Sequence, residues 1–463
     1  MFSPLPRNHH RHRHRHRHRA AIQLPTLVIP GARRHSVTHF ALLCPAASGH
    51  LNPMLSLGHQ LRQRGHRVSL AGIADAETRV REAGLEFIPL GLADFPLGST
   101  RLLFQRMGQL SGTAAFRLTV ETFRQSTAMV LREAPAALRA AGVEALLIDK
   151  TSFGGATLAH VLDLPFVSVS CALLLNRDPA VPPVHTGWRY SPAAWARLRN
   201  RLGQRLFTRL ARPITEVVLD YRAQQGLPPL ANTNDGWSPL LQICQQPAAF
   251  EYPRSQLPAW FHFTGPLWDP ASRAAVPFPW ERLSGQPLIY ASLGTIQNQQ
   301  LELFARIAAA CQHLDAQLVI ALGGGSNPAD LPPLPGDPLV VAQAPQLELL
   351  ARAALTITHA GLNTVLESLS HGVPMVAVPI ANDQPGVAAR LAWSGSGHVV
   401  PLRQASEQRL RAAIDRVWQD DRHRGHAERL RQAIAESGGV AHAADLVEQA
   451  IATGRPVLRV QAA

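Results

Sequence analysis

Apolar residues in this chain come in short blocks separated by amphipathic stretches, and the pattern runs through twice. Residues 38–44 (THFALLC) read as a buried strand, and 52–64 follow with helical spacing. Residues 67–71 and 86–90 read as further strands, and 145–148, 153–162 and 165–169 then repeat strand, helix, strand. A second alternation starts at 287–292 (PLIYAS) and continues through 317–322, 339–342 and 355–358 (LTIT). It goes on to a helix at 363–371, with Val365, Leu366 and Leu369 on one apolar face, and a strand at 373–379. Such alternation predicts an α/β fold with two doubly wound parallel sheets, two Rossmann-like halves facing a central cleft. Between the two series, 177–260 is rich in Pro, Arg and Trp, with helical runs and few strands. The proline-dense stretch from 263 predicts a connecting segment, and 441–452 a closing helix.

Composition changes this picture little. With 463 residues, 46% of them apolar, the chain has room for two cores. The net charge of +13 suggests a nucleic-acid partner, but eight arginines and no acid fall within residues 1–34, leaving +5 for the rest. No basic-aromatic interleaving points to nucleic acid. The His/Arg alternation from His10 to Arg19 is read as a disordered, dispensable tail. The apolar bit at 22–30 is far short of the roughly 18 residues needed to span a bilayer and makes a poor signal peptide. Cys44, Cys171, Cys244 and Cys311 are far apart, which predicts neither a zinc site nor a disulfide framework and fits a reducing cytoplasm.

The chemistry gathers at strand ends. His359-Ala360-Gly361-Leu362-Asn363-Thr364 sits between a strand and a helix, so free N–H groups and a positive dipole end face whatever lies in front. The next strand leads to Asn382-Asp383-Gln384, an acid-amide pair suited to sugar hydroxyls. Ligands of open parallel sheets bind beyond such carboxyl ends. The combination suits a nucleoside diphosphate carrying a sugar. In the first series, His50 follows the first strand within 45–53 (PAASGHLNP), and Asp149 ends the strand ALLI. An imidazole there can act as a general base, and a carboxylate can hold its far nitrogen.

Gln343-Ala-Pro-Gln346, the HAGLNT turn, Glu367, Gly372-Val-Pro374 and Asp383-Gln384 together resemble the donor signature of UDP-dependent (family 1) glycosyltransferases, which are two-domain GT-B enzymes. The likeness extends to 45–53, Asp149, 176–179 (NRDP) and 292–295 (SLGT), and so covers most of the chain after about residue 36. The stretch 171–183 (CALLLNRDPAVPP) is most similar to bacterial zeaxanthin glucosyltransferases.

The resemblance implies a tail at 1–35, an N-terminal acceptor-binding domain at 36–262, a linker at 263–285, a C-terminal nucleotide-sugar domain at 286–440, and a closing helix and tail at 441–463. It implies His50 as the base, oriented by Asp149. The diphosphate falls to His359, Asn363, Thr364 and the backbone from Gly361, with Ser292 and Thr295 opposite. The ribose falls to Glu367 and the sugar to Asp383 and Gln384; Gln343 and Gln346 complete the donor set. The reaction is an inverting hexosyl transfer with UDP-glucose as co-substrate and no metal or other cofactor. Two residues depart from the family pattern: Gln343 stands where Trp usually stacks on the base, and Leu362 where plant members carry an aromatic. A dTDP-sugar therefore stays open as the alternative donor.

The acceptor implied is a hydrophobic small molecule or lipid, such as a carotenoid. Leu198, Leu202, Leu206 and Leu210, flanked by Arg197, Arg201, Arg205 and Arg209, suggest either an ordinary packed helix or a peripheral membrane contact through 197–210. The competing class is a non-catalytic GT-B partner or activator protein. An epimerase should lack a base at position 50, and a dinucleotide oxidoreductase should carry GxGxxG after the first strand, where PAASGHLNP stands.

Overall fold

A computed structural model describes residues 37–459, apart from 231, 274, 297 and 325. The predicted tail at 1–35 and the end at 460–463 lie outside the described residues.

Two sheets form, each entirely parallel. The first contains β1 (His39–Leu43), β2 (Arg67–Gly72), β3 (Glu86–Pro89), β4 (Ala145–Asp149), β5 (Phe166–Ser170), β6 (Gln242–Cys244) and β7 (Phe261–Phe263), in the order β3-β2-β1-β4-β5-β6-β7. The second contains β8 (Leu288–Ser292), β9 (Gln317–Ala321), β10 (Leu339–Val341), β11 (Ala353–Thr358), β12 (Met375–Ala377) and β13 (Gly397–Val399), in the order β10-β9-β8-β11-β12-β13. Their central strands are largely apolar and buried because helices cover both faces: Phe40 and Leu42 enter one core layer, Ala41 and Leu43 the layer opposite.

The order of each sheet reverses once, and the crevice beyond that reversal is where such folds bind ligands. In the first lobe it lies between β1 and β4, placing His50 and Asp149 side by side. In the second it lies between β8 and β11, placing the turn after Ser292 against His359.

Several elements differ from the sequence expectations. The first helix runs Ser48–Gln63 and so starts four residues early, taking His50 into its first turn. Residues 91–144, given no element from sequence, contain the 30-residue helix Gly112–Ala141, whose apolar stripe packs on the first sheet. The strands β6, β7 and β13 have only three residues each, too few for a period-two signal to show. The helix Gly439–Thr453 lies against the first helix, where Arg64 pairs with Asp445 (2.7 Å) and Glu448 (2.6 Å).

Candidate active site

His50 and Asp149 meet directly, with Nδ1 of the imidazole donating to Oδ2 of the carboxylate at 2.8 Å. Asp149 is fully buried and His50 is 19% exposed. The other carboxylate oxygen accepts from the backbone N–H of Thr151 (2.8 Å) and from its hydroxyl (2.8 Å), and the Cys171 thiol lies beside this carboxylate. Burial alone would raise the Asp149 pKa, but His50 and these donors outweigh it and hold the carboxyl below its ordinary range. Burial likewise pulls His50 down, yet the charge and hydrogen bond of Asp149, with a smaller contribution from Asp383, raise its pKa overall. A carboxylate only accepts, so the proton sits on Nδ1 and the Nε2 lone pair is left for chemistry. Among the described residues Nε2 has no hydrogen-bond partner.

The two lobes touch at this turn. Asn363 donates from Nδ2 to the carbonyl of Gly49 at 3.1 Å, beside His50. That carbonyl lies four residues before Pro53, inside the helix, and proline has no N–H to give it. The Asn363 carbonyl in turn accepts from Gln245 at 2.8 Å. Asn363 was expected on the diphosphate; in this structure its side chain spans the cleft, because the unfilled carbonyl and Gln245 satisfy both of its ends. Asp383, expected on the sugar, also crosses, accepting from the Leu173 backbone at 3.0 Å. The Gln384 carbonyl binds the backbone of Ile380 (2.8 Å) and Ala381 (2.9 Å), shaping the loop in which Asn382 adopts φ +56°.

In the second lobe, His359 lies between two glycines. A Cβ on Gly361 would collide with its Nε2, and one on Gly294 would lie 2.6 Å from the same nitrogen. Burial lowers the His359 pKa to about 4, against the Ser292 carbonyl and the Asp383 charge. The ring is therefore neutral at pH 7 and offers an N–H rather than a positive charge. Ala360 precedes the helix Leu362–Ser370 with φ +64°, a conformation that turns the chain so that the helix start faces the cleft. Because its φ is an ordinary −63°, Gly361 is needed only for space. Gly361→Ala is expected to weaken UDP binding at least about tenfold by displacing the imidazole, as titration calorimetry would measure; unchanged affinity would show that the ring is not part of the donor site.

Glu367 is buried with both oxygens engaged: Oε1 with Arg273 (2.5 Å) and Oε2 with Gln346 (2.5 Å). Gln346 also accepts from the Tyr290 hydroxyl (3.1 Å) and reaches Thr364 Oγ1 (3.4 Å). Ser292 is buried, its Oγ accepting from Gly294 N–H (3.3 Å), while Thr295 and Gln343 are exposed. A gap of about 10 Å³ remains, lined by Pro53, Gln245, Trp268, Arg273, Asn363 and Glu367.

Sequence reasoning missed Thr151, Cys171, Gln245 and Arg273. Thr151 carried a local signal, since a residue two after a strand-end aspartate is placed to cap it. Arg273 carried none, lying in the connector between sheets without periodicity.

Comparison with known proteins adds an independent line. Residues 198–434 match the family model described as UDP-glucoronosyl and UDP-glucosyl transferase, and residues 46–148 match the glycosyltransferase family 28 N-terminal domain. The zeaxanthin glucosyltransferase of Pseudescherichia vulneris is 34% identical over 91% of this chain and 100% of its own, and that of Pantoea ananas 32% identical over 91% and 98%. A solved calicheamicin glycosyltransferase superposes with a TM-score of 0.69 at 26% identity, covering 91% of this chain and all of its own.

Proposed function

Since the chain belongs to the UDP-glycosyltransferase family and has its GT-B fold, we propose that it moves glucose from UDP-glucose, with inversion, to a hydroxyl of a hydrophobic acceptor of the carotenoid class. The observation that carries this reading is the His50–Asp149 pair facing the lobe that bears His359, with Asn363 joined to the residue beside the base. In the step proposed, the acceptor hydroxyl gives its proton to Nε2 of His50, and its oxygen bonds to the anomeric carbon. The bond from that carbon to the β-phosphate oxygen breaks, and UDP leaves with the electron pair. One displacement turns an α-linked donor into a β-glycoside.

Charge gathers on the departing diphosphate as the bond breaks. The start of the helix Leu362–Ser370 supplies N–H groups and a dipole there, and neutral His359 a further donor. The reading calls for no metal. Small-molecule sites usually occupy about 300–1,000 Å³, so the gap of about 10 Å³ must widen for a nucleotide sugar to enter. Glu367 can take the ribose hydroxyls once Arg273 withdraws from it. The choice of glucose and of a carotenoid acceptor is supported by the names of the two relatives and by the stretch at 171–183.

A donor-by-acceptor screen read by product mass, with zeaxanthin, a flavonoid and a sterol as acceptors, tests the reading. UDP-glucose should be consumed only when a hydrophobic alcohol is present. Intact UDP binding without product from any acceptor would favour a non-catalytic partner protein.

The exposed Gln343 stands where the base is expected, its amide close to Gly324. Gln343→Trp should strengthen UDP binding by about two- to tenfold, the equivalent of ~0.5–1.5 kcal/mol of stacking. Calorimetry with UDP and dTDP would check it, and equal or weaker binding would place the base elsewhere.

A further inference from the structure

No helix among the described residues is long and apolar enough to cross a membrane. One helix nonetheless carries an apolar face that no other described residue covers. In Ala194–Leu210, the side chains of Leu198, Leu202, Leu206 and Leu210 are 57%, 55%, 55% and 46% exposed, and Trp195 at the start is 62% exposed. They are not a core face left unpacked, because the inward face is complete without them. Ala196, Asn200 and Gly203 are buried there. Asn200 donates to the Pro179 carbonyl (3.1 Å), Gln204 to that of Asp178 (2.9 Å), and Gly203 lets Trp188 come so close that a Cβ would lie 2.8 Å from its ring.

Charge distinguishes the same face. Arg197, Arg201, Arg205 and Arg209 each stand one residue before a leucine, all exposed, and the helix contains no acid. Elsewhere on exposed helices this chain pairs arginine with a glutamate four residues away, as at Arg212–Glu216, Arg306–Glu302 and Arg411–Glu407. None of the four arginines beside the leucines has an ion pair among the described residues. A leucine stripe about 18 Å long, edged by unpaired guanidiniums on long stems, matches the layering of an anionic bilayer surface. Leucines enter the acyl boundary while arginines reach up to the headgroup phosphates. Nucleic acid offers nothing for the leucines, and a protein partner would need acids placed to meet four arginines in a row.

The other side of the helix leads to the site. The Phe207 ring lies 5.7 Å from Phe116 and 5.0 Å from His185, and His185 Nδ1 donates to the carbonyl of Asn382 (3.1 Å), next to Asp383. We propose that the outward face of Ala194–Leu210 docks on anionic lipid, seating the mouth of the cleft on the membrane so that a lipid-dissolved acceptor enters without crossing water. The docking half rests on this face alone; the acceptor route rests on the function proposed above.

The test uses the full chain, sedimented with vesicles of phosphatidylcholine alone or mixed with phosphatidylglycerol, at low and high salt. Wild-type protein is expected in the pellet with the mixed vesicles, less so at high salt. Leu202→Glu/Leu206→Glu and Arg201→Glu/Arg205→Glu should each reduce pelleting at least tenfold, with unchanged melting temperature and unchanged turnover of a flavonoid offered in free solution without vesicles. Both variants keep the eight N-terminal arginines, so undiminished pelleting of the leucine variant would overturn the proposal and assign binding to that tail. Absent pelleting of the wild type would overturn it too. A wild-type dimer that the leucine variant dissociates would give the face to a second copy of the chain and likewise overturn it. Wild-type pelleting without turnover of any acceptor would sink the enzymatic reading and leave the docking intact.

Discussion

Replacing His50 with alanine should lower turnover by about 10²–10⁴-fold, the usual worth of a positioned general base, while UDP binds as before. The hydrogen bonds of the imidazole go to Asp149 and Thr151, both in its own lobe. The Gly49 carbonyl that receives Asn363 is backbone and survives the change. The pH profile gives a second, sharper measure. The base acts only when neutral, and Asp149 more than offsets burial to raise its pKa, so wild-type kcat/KM should fall as pH drops through a value above the ordinary histidine range. Asp149→Asn removes the raising charge and should move that acidic limb to lower pH, with a lower plateau because the ring is no longer held in one tautomer. Turnover that survives His50→Ala, or a limb that stays in place in Asp149→Asn, would remove the pair from the mechanism.

The second large effect concerns stability. Glu251, just after a short helical turn in the first lobe, and Arg390, in the helix Gln384–Ser394 of the second, form a pair 1–2% exposed at 2.6 Å. Arg254 adds a second guanidinium at 3.4 Å, and the Arg390 plane lies 4.4 Å from the Tyr252 ring centre. Burial would push the Glu251 carboxyl up, but the two guanidiniums together hold it below its usual range. Its contribution is therefore present above the ordinary carboxylate pKa and fades as pH falls through the depressed one. Arg390→Leu leaves a sealed carboxylate with a single, longer pairing, and should destabilise the chain by about 3–5 kcal/mol. Urea unfolding would show it as an earlier midpoint. A midpoint within error of wild type would mean that Arg254 alone suffices.

Both sites show what a single sequence conveys. His50 and Asp149 could be found because one follows an apolar strand and the other ends one, and parallel sheets send ligands to such ends. The order from Gln343 to Gln384 could be found because strand, glycine turn and helix follow one another without interruption. The connections between lobes could not. Asn363 and Gly49 are 314 residues apart, Glu251 and Arg390 are 139, and neither pair leaves a periodic mark. The helix Gly112–Ala141 went unread because Gly112, Pro135 and scattered polar residues break up the visible stripe. The burial of His359 was also beyond reach, since it depends on a glycine 65 positions earlier lying against the ring.

One consequence of Pro53 remains. By withholding a single N–H, it leaves an acceptor open on the very turn that holds the imidazole, and the second lobe fills it. Asp149 steadies the ring from within its own lobe, while the backbone beneath it is tethered from across the cleft. A slip of one half against the other by the length of that bond would tug on the turn that carries the proposed base.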